Sequence, residues 1–144
     1  MKINIDYEVL KATIDKAKVK FGHQFEYKDK TFNVFTCRHT KENEENGELP
    51  VFWTSNSSTA YYDIYIATNA VKKEFRKPVL LHETLEAFLF EDFFEEFDIR
   101  TAKGIAHEIA KGYDKKYARE ALSDELFEEY LQLREKLNTS FFGR

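Results

Sequence analysis

The segment Val79 to Phe90, read Val-Leu-Leu-His-Glu-Thr-Leu-Glu-Ala-Phe-Leu-Phe, constrains this chain more than any other. It is apolar on most sides, which predicts a central buried helix rather than a surface one. Pro78 suits the first turn of such a helix, where its missing N–H costs nothing. Within it, His82 and Glu86 are four residues apart and project from one face, a turn separated. Glu83 follows His82 directly and lies three residues before Glu86, at the edge of that face. Carboxylates in such a setting are expensive unless paired or bound to a cation.

Packing alone does not explain two carboxylates and an imidazole in that place. A divalent metal does: His82 and Glu86 are competent ligands, and Glu83 can hold a water. A third ligand is expected from the following helix. His107 is the candidate, embedded in Gly104-Ile105-Ala106-His107-Glu108-Ile109-Ala110. Antiparallel pairing of the two helices brings it opposite His82 and Glu86, with Ala102, Gly104, Ala106 and Ala110 permitting close approach. Three ligands and an open fourth position is the arrangement of a catalytic zinc. Asp114, two turns beyond His107 on a similar face, is placed to replace or orient a ligand. A di-iron bundle would want Glu three residues before His107, where the chain has Gly104.

The rest of the chain supports a single α+β domain over residues 1–144. Asp6 is placed to cap an N-terminal helix carrying Leu10, Ile14, Ala17 and Phe21, with Gly22 as its stop. Three β-type runs follow, at Thr31–Arg38, Leu49–Trp53 and Ala60–Thr68. The last has Tyr62, Ile64 and Ile66 on one face and Tyr61, Asp63 and Tyr65 on the other. Residues 41–47 read as a solvated polar loop and 55–59 as a turn. Asp98 and Ser123-Asp124 start two further helices, and Phe141 and Phe142 form a tail after the last one. The expected architecture is an N-terminal helix and a small, mostly antiparallel sheet, then the central helix and two more.

Several other features carry little chemistry. Cys37, the only cysteine, reads as a small buried thiol with no disulfide. His23 and His39 read as solvated, and Phe93, Phe94 and Phe97 as packing inward from an acidic helix end. A net charge of −4 argues against nucleic acid as a partner. No segment approaches the ~20 apolar residues of a membrane helix, and no signal peptide is visible, so a cytoplasmic setting is expected.

Leu80-Leu81-His82-Glu83-Thr84-Leu85-Glu86 resembles the HExxH active-site helix of zincin metallopeptidases, with Glu86 where that family has His. The layout of residues 30–115 is also similar to a minimal zincin, with the strand Ala60–Thr68 lining a peptide cleft before the active-site helix. By this resemblance His82 is a metal ligand and Glu83 the general base on the metal-bound water. Glu86 takes the second ligand position, since carboxylate and imidazole both bind zinc at about 2.0–2.2 Å. The exchange adds negative charge, weakens the metal as a Lewis acid and opens the site to iron or manganese. Two functions follow. One is a zinc-dependent hydrolase acting on a peptide or protein substrate. The other is a non-catalytic interaction protein on a zincin-like scaffold, with an acidic, aromatic surface.

Overall fold

The computed structural model describes residues 5–55 and 61–142, the last four as backbone. The fold is α+β, as expected. Helix α1 (Tyr7–Lys16) is capped by the Asp6 carboxylate, which accepts the backbone N–H groups of Glu8 and Val9. It ends well before Gly22, with Ala17 already extended, so Phe21 lies outside the helix and is 68% exposed. Gly22 (φ +79°) instead serves the turn into a strand absent from the sequence reading, β1 (His23–Tyr27).

Strand β1 forms a hairpin with β2 (Lys30–Cys37) through Lys28 and Asp29, Lys28 itself adopting φ +56°. The hairpin escapes sequence detection because its two-residue turn lacks the glycine that usually accepts a positive φ. Residues 41–47 are not a plain loop: α2 (Lys41–Glu45) forms there, closed by reciprocal bonds between Thr40 and Asn43. Strands β3 (Val51–Ser55) and β4 (Tyr61–Ala67) complete a sheet of order β1-β2-β4-β3. The β1–β2 and β4–β3 pairs are antiparallel and the β2–β4 pair is parallel. The turn expected at residues 55–59 lies, past Ser55, outside the described residues.

The alternation in β4 holds. Tyr62, Ile64 and Ile66 are buried with Phe32 and Val34 of β2, while Tyr61 is exposed. Against this inner face packs α3 (Arg76–Phe94), preceded by a single 3-10 turn at Lys73–Phe75. Its residues from Pro78 to Ala87 are all buried, so it is the central helix that its composition predicts. Helix α4 (Ile99–Ala121) packs along it, capped by Asp98, whose carboxylate accepts from the Thr101 N–H. Ala102, Ala106 and Ala110 are fully buried on α4, and this stripe admits the close approach. Gly104 plays no such part, because a Cβ there would meet nothing within 4 Å.

Helix α5 (Asp124–Phe142) starts at Ser123 and buries Phe127, Tyr130 and Leu137. Phe141 and Phe142 therefore belong to the helix rather than to a tail, and their side chains lie outside the described part. Two other expectations are corrected. Cys37 is exposed at the end of β2, and only Phe93 of the acidic helix end packs inward. Phe94 and Phe97 stand in solvent because α3 ends there and the chain turns into α4. Among the described residues, no helix is long and apolar enough to cross a membrane.

Lys77 ties α1 to α3. Its ammonium has three donors, and they reach the carbonyls of Ile14 (2.9 Å), Asp15 (2.8 Å) and Ala17 at the end of α1. The Ile14 carbonyl also accepts the Ala17 N–H, and a cation at this end of the helix complements its dipole. Lys77→Met keeps most of the stem and removes all three bonds, and should destabilise the fold by about 2 kcal/mol. Urea denaturation of the two proteins measures this; an unchanged midpoint would show that the cap contributes nothing.

Candidate metal centre

The polar residues of α3 meet those of α4 inside the core. His82 faces Asp114 and Glu86 faces His107, so the two helices run antiparallel. His82 Nε2 lies 2.9 Å from Glu86 Oε2 and 3.2 Å from His107 Nδ1. His107 Nδ1 lies 2.9 Å from the same Glu86 oxygen. Three heteroatoms thus form a small triangle, and their residues are at most 4% exposed.

The spacings of this triangle suit hydrogen bonds and are also close to those of ligands around a metal ion. Ligands about 2.0–2.1 Å from a tetrahedral ion stand roughly 3.3 Å apart by simple geometry, only slightly wider than the observed spacings. Without a cation, protons on His82 and His107 fill the same space and bond to the Glu86 carboxylate. The buried His82, Glu86 and His107 group can therefore hold a metal ion. Charge agrees: among the described residues, Glu83, Glu86 and Asp114 supply three buried carboxylates, and Arg134 is the buried cation beside them. With all three carboxylates ionised and the imidazoles neutral, the excess charge is that of two protons, which a divalent ion cancels.

The supporting contacts come from three elements, α4, α5 and β3. The Asp114 carboxylate, fully buried on α4, accepts from His82 Nδ1. That leaves Nε2 as the nitrogen facing the triangle. Arg134 of α5 lies beside Asp114, Nε to Oδ2 3.7 Å, and donates to Asn138 at 3.3 Å. The indole N–H of Trp53, on β3, donates to Glu86 Oε1 at 3.0 Å and leaves Oε2 for the triangle. Asp114 therefore meets His82 on the side away from the triangle.

Electrostatics in the metal-free site follow from these contacts. Burial and the Arg134 charge disfavour a proton on His82. The bonds to Asp114 and Glu86 outweigh them and raise its pKa to about 9. Burial also works against the charge on Glu86, yet donors from His107 and His82 hold its pKa well below the carboxylate range. Glu83 has no such donors, and burial together with the Glu86 charge pushes it up to about 7. A metal ion entering this site displaces protons from the imidazoles.

A pocket of about 260 Å³ opens onto the triangle. Its polar wall holds His82, Glu83, Glu86, His107 and Arg134; Val51, Phe52, Trp53 and Leu137 line the apolar side. Glu83, His82, Glu86 and His107 are therefore brought together as their spacing implies. His23 and His39 are half-buried and remote in the sheet and its exit. Strand β4 does not border the cleft with a free edge, because β3 covers it; β3 is the edge strand beside the site.

Trp53 and Arg134 were not singled out from sequence. Trp53 has no spacing relation to the central helix. Arg134 did leave a signal: it falls four residues after Tyr130 and three before Leu137, on the apolar stripe of α5. Comparison of the chain with protein-family models, with curated proteins and with solved structures gave no match.

Trp53 is the single tryptophan and touches Glu86. Titration with Co²⁺ should therefore quench its fluorescence to a saturating level, and His107→Ala should abolish the response. Emission that ignores saturating metal would place no ion beside Glu86.

Proposed function

We propose that this chain is a metal-dependent hydrolase whose ion, zinc in the first instance, is held by His82 Nε2, His107 Nδ1 and Glu86 Oε2. The observation that carries the reading is the convergence of these three atoms at the floor of an open pocket that Glu83 also lines. A structural zinc is closed by four protein ligands, whereas a catalytic one keeps a position open. Among the described residues, the metal-ligating group has three members. Bound there, the ion supplies Lewis-acid polarisation and acidifies a coordinated water.

The remaining work falls to the chain itself. Glu83, one residue from a ligand and in the same pocket, takes the proton from the attacking water and delivers it to the leaving group. Trp53 and Asp114 hold Glu86 and His82 in place. The apolar side of the pocket accepts a hydrophobic group next to the bond that breaks. A peptide or protein substrate is supported by the position of β3, whose outer edge has no neighbouring strand among the described residues; an extended chain can pair with such an edge. This reading keeps the likeness to zincins, with Glu86 in place of their second histidine. Its carboxylate makes iron or manganese the natural alternatives to zinc.

A second reading, a non-catalytic interaction protein on the same metal-binding core, draws on Phe94, Phe97 and Ile99. These stand exposed together around the turn between α3 and α4, beside Glu95, Glu96 and Asp98. The two readings part at Glu83.

Elemental analysis should find one equivalent of metal in the native protein and little in His82→Ala or His107→Ala. Full metal content in both variants would remove the site. Glu83→Gln should retain the ion and lose about 10²–10⁴-fold in turnover on an unstructured protein such as casein. Unchanged turnover in that variant would remove Glu83 as the base, and native protein that carries metal but cleaves nothing would favour the second reading.

A further inference from the structure

We infer that Asp114 and Arg134 are positioning residues for the metal centre, so that α5 sets its affinity without supplying a ligand. The inference rests on the metal site proposed above and adds to it a dependence on the last helix.

His82 is fully buried and has two ring nitrogens with different neighbours. Nδ1 meets the Asp114 carboxylate; Nε2 meets Glu86 and His107. A carboxylate is an acceptor only, so the nitrogen facing Asp114 must carry a hydrogen. In a neutral imidazole that leaves the lone pair on Nε2, aimed where the other two ligand atoms converge. The other neutral tautomer, with its hydrogen on Nε2, would leave a bare Nδ1 facing Asp114 in a site closed to water. His107, by contrast, offers Nδ1. The two histidines thus present opposite nitrogens, and for His82 the choice is made by Asp114.

Asp114 must itself be held. It is 0% exposed, and the cation beside it comes from α5, with Arg134 Nε 3.7 Å from Asp114 Oδ2. Arg134 is fixed in turn by its bond to Asn138 and by the burial of Tyr130 and Leu137 on the same face. The same guanidinium lines the pocket at the metal centre. An Asp114 without Arg134 would be a buried carboxylate met by the His82 imidazole and the Tyr130 hydroxyl, with no arginine charge to hold it against Nδ1. Outer contacts of this kind typically change metal affinity by about 10–100-fold when removed.

The test measures Co²⁺ and Zn²⁺ affinity by competition with a chromogenic chelator in the full chain. Native protein, Asp114→Asn, Arg134→Met and Arg134→Lys are compared, with the visible Co²⁺ spectrum recorded for each. Asp114→Asn and Arg134→Met should bind about 10–100-fold more weakly, with a changed Co²⁺ band, while far-UV circular dichroism of the metal-free proteins matches the native. Arg134→Lys should recover most of the affinity, because it restores a cation beside Asp114. If Arg134→Met fails to fold, Asp114→Asn and Arg134→Lys carry the comparison. Equal affinities and spectra in native protein, Asp114→Asn and Arg134→Lys would overturn the positioning role and leave the metal site standing. Native protein that binds neither ion would overturn the site and this role together.

Discussion

His82 is engaged at both ring nitrogens while completely shut off from solvent, and the arrangement of the surrounding elements follows from that. An imidazole in the core needs partners on two opposite sides. One is Asp114 on α4, and the other is shared between Glu86 on its own helix and His107 on α4. Those two contacts set the register of α3 against α4, and the alanine stripe at 102, 106 and 110 lets the helices come close enough to make them. Arg134 then brings α5 to Asp114, and Trp53 brings β3 to Glu86. A polar knot of a few side chains draws two helices and an edge strand to the middle of the central helix.

Stability alone would not preserve such a knot. Replacing buried ionic groups by well-packed apolar ones of similar volume is often neutral or favourable. The apolar part of the core is already substantial, with Leu80, Leu81, Leu85, Phe32, Ile64 and Ile66 fully buried between α3 and the sheet. The charges concentrate instead on the α4 side of the same helix, beside a pocket. The fold thus separates its two tasks across α3, with sheet packing on one side and a cation-sized cluster on the other. The sheet has its own part in this division. Because β3 is added antiparallel outside β4, its edge lies next to the candidate metal centre.

Much of this was legible where local physics decides. Asp6, Asp98 and Ser123 announce helix starts because capping needs only a side-chain oxygen a few residues from free N–H groups. Alternation in β4 and the apolar density of α3 were equally direct. The misreadings share a cause. The β1–β2 turn depends on Lys28 accepting a positive φ, against its propensity. The exposure of Phe94 and Phe97 depends on where α3 stops, and that of Cys37 on its place at a strand end. Each is set by neighbours distant in sequence.

The sequence by itself determined that His82, Glu83 and Glu86 share one region of a buried helix, because helical periodicity fixes which residues lie together. It also pointed to His107 and Asp114, as polar residues among small apolar ones. Only the tertiary structure decided that His82 turns Nε2 and His107 turns Nδ1 toward a common point. It alone made Trp53 and Arg134 part of the centre, and β3 rather than β4 the free edge beside it. Those choices depend on contacts across 20 to 33 residues of chain, between Asp114 and Arg134 and between Trp53 and Glu86. No local pattern encodes such contacts, since they exist only once the helices and the sheet have packed.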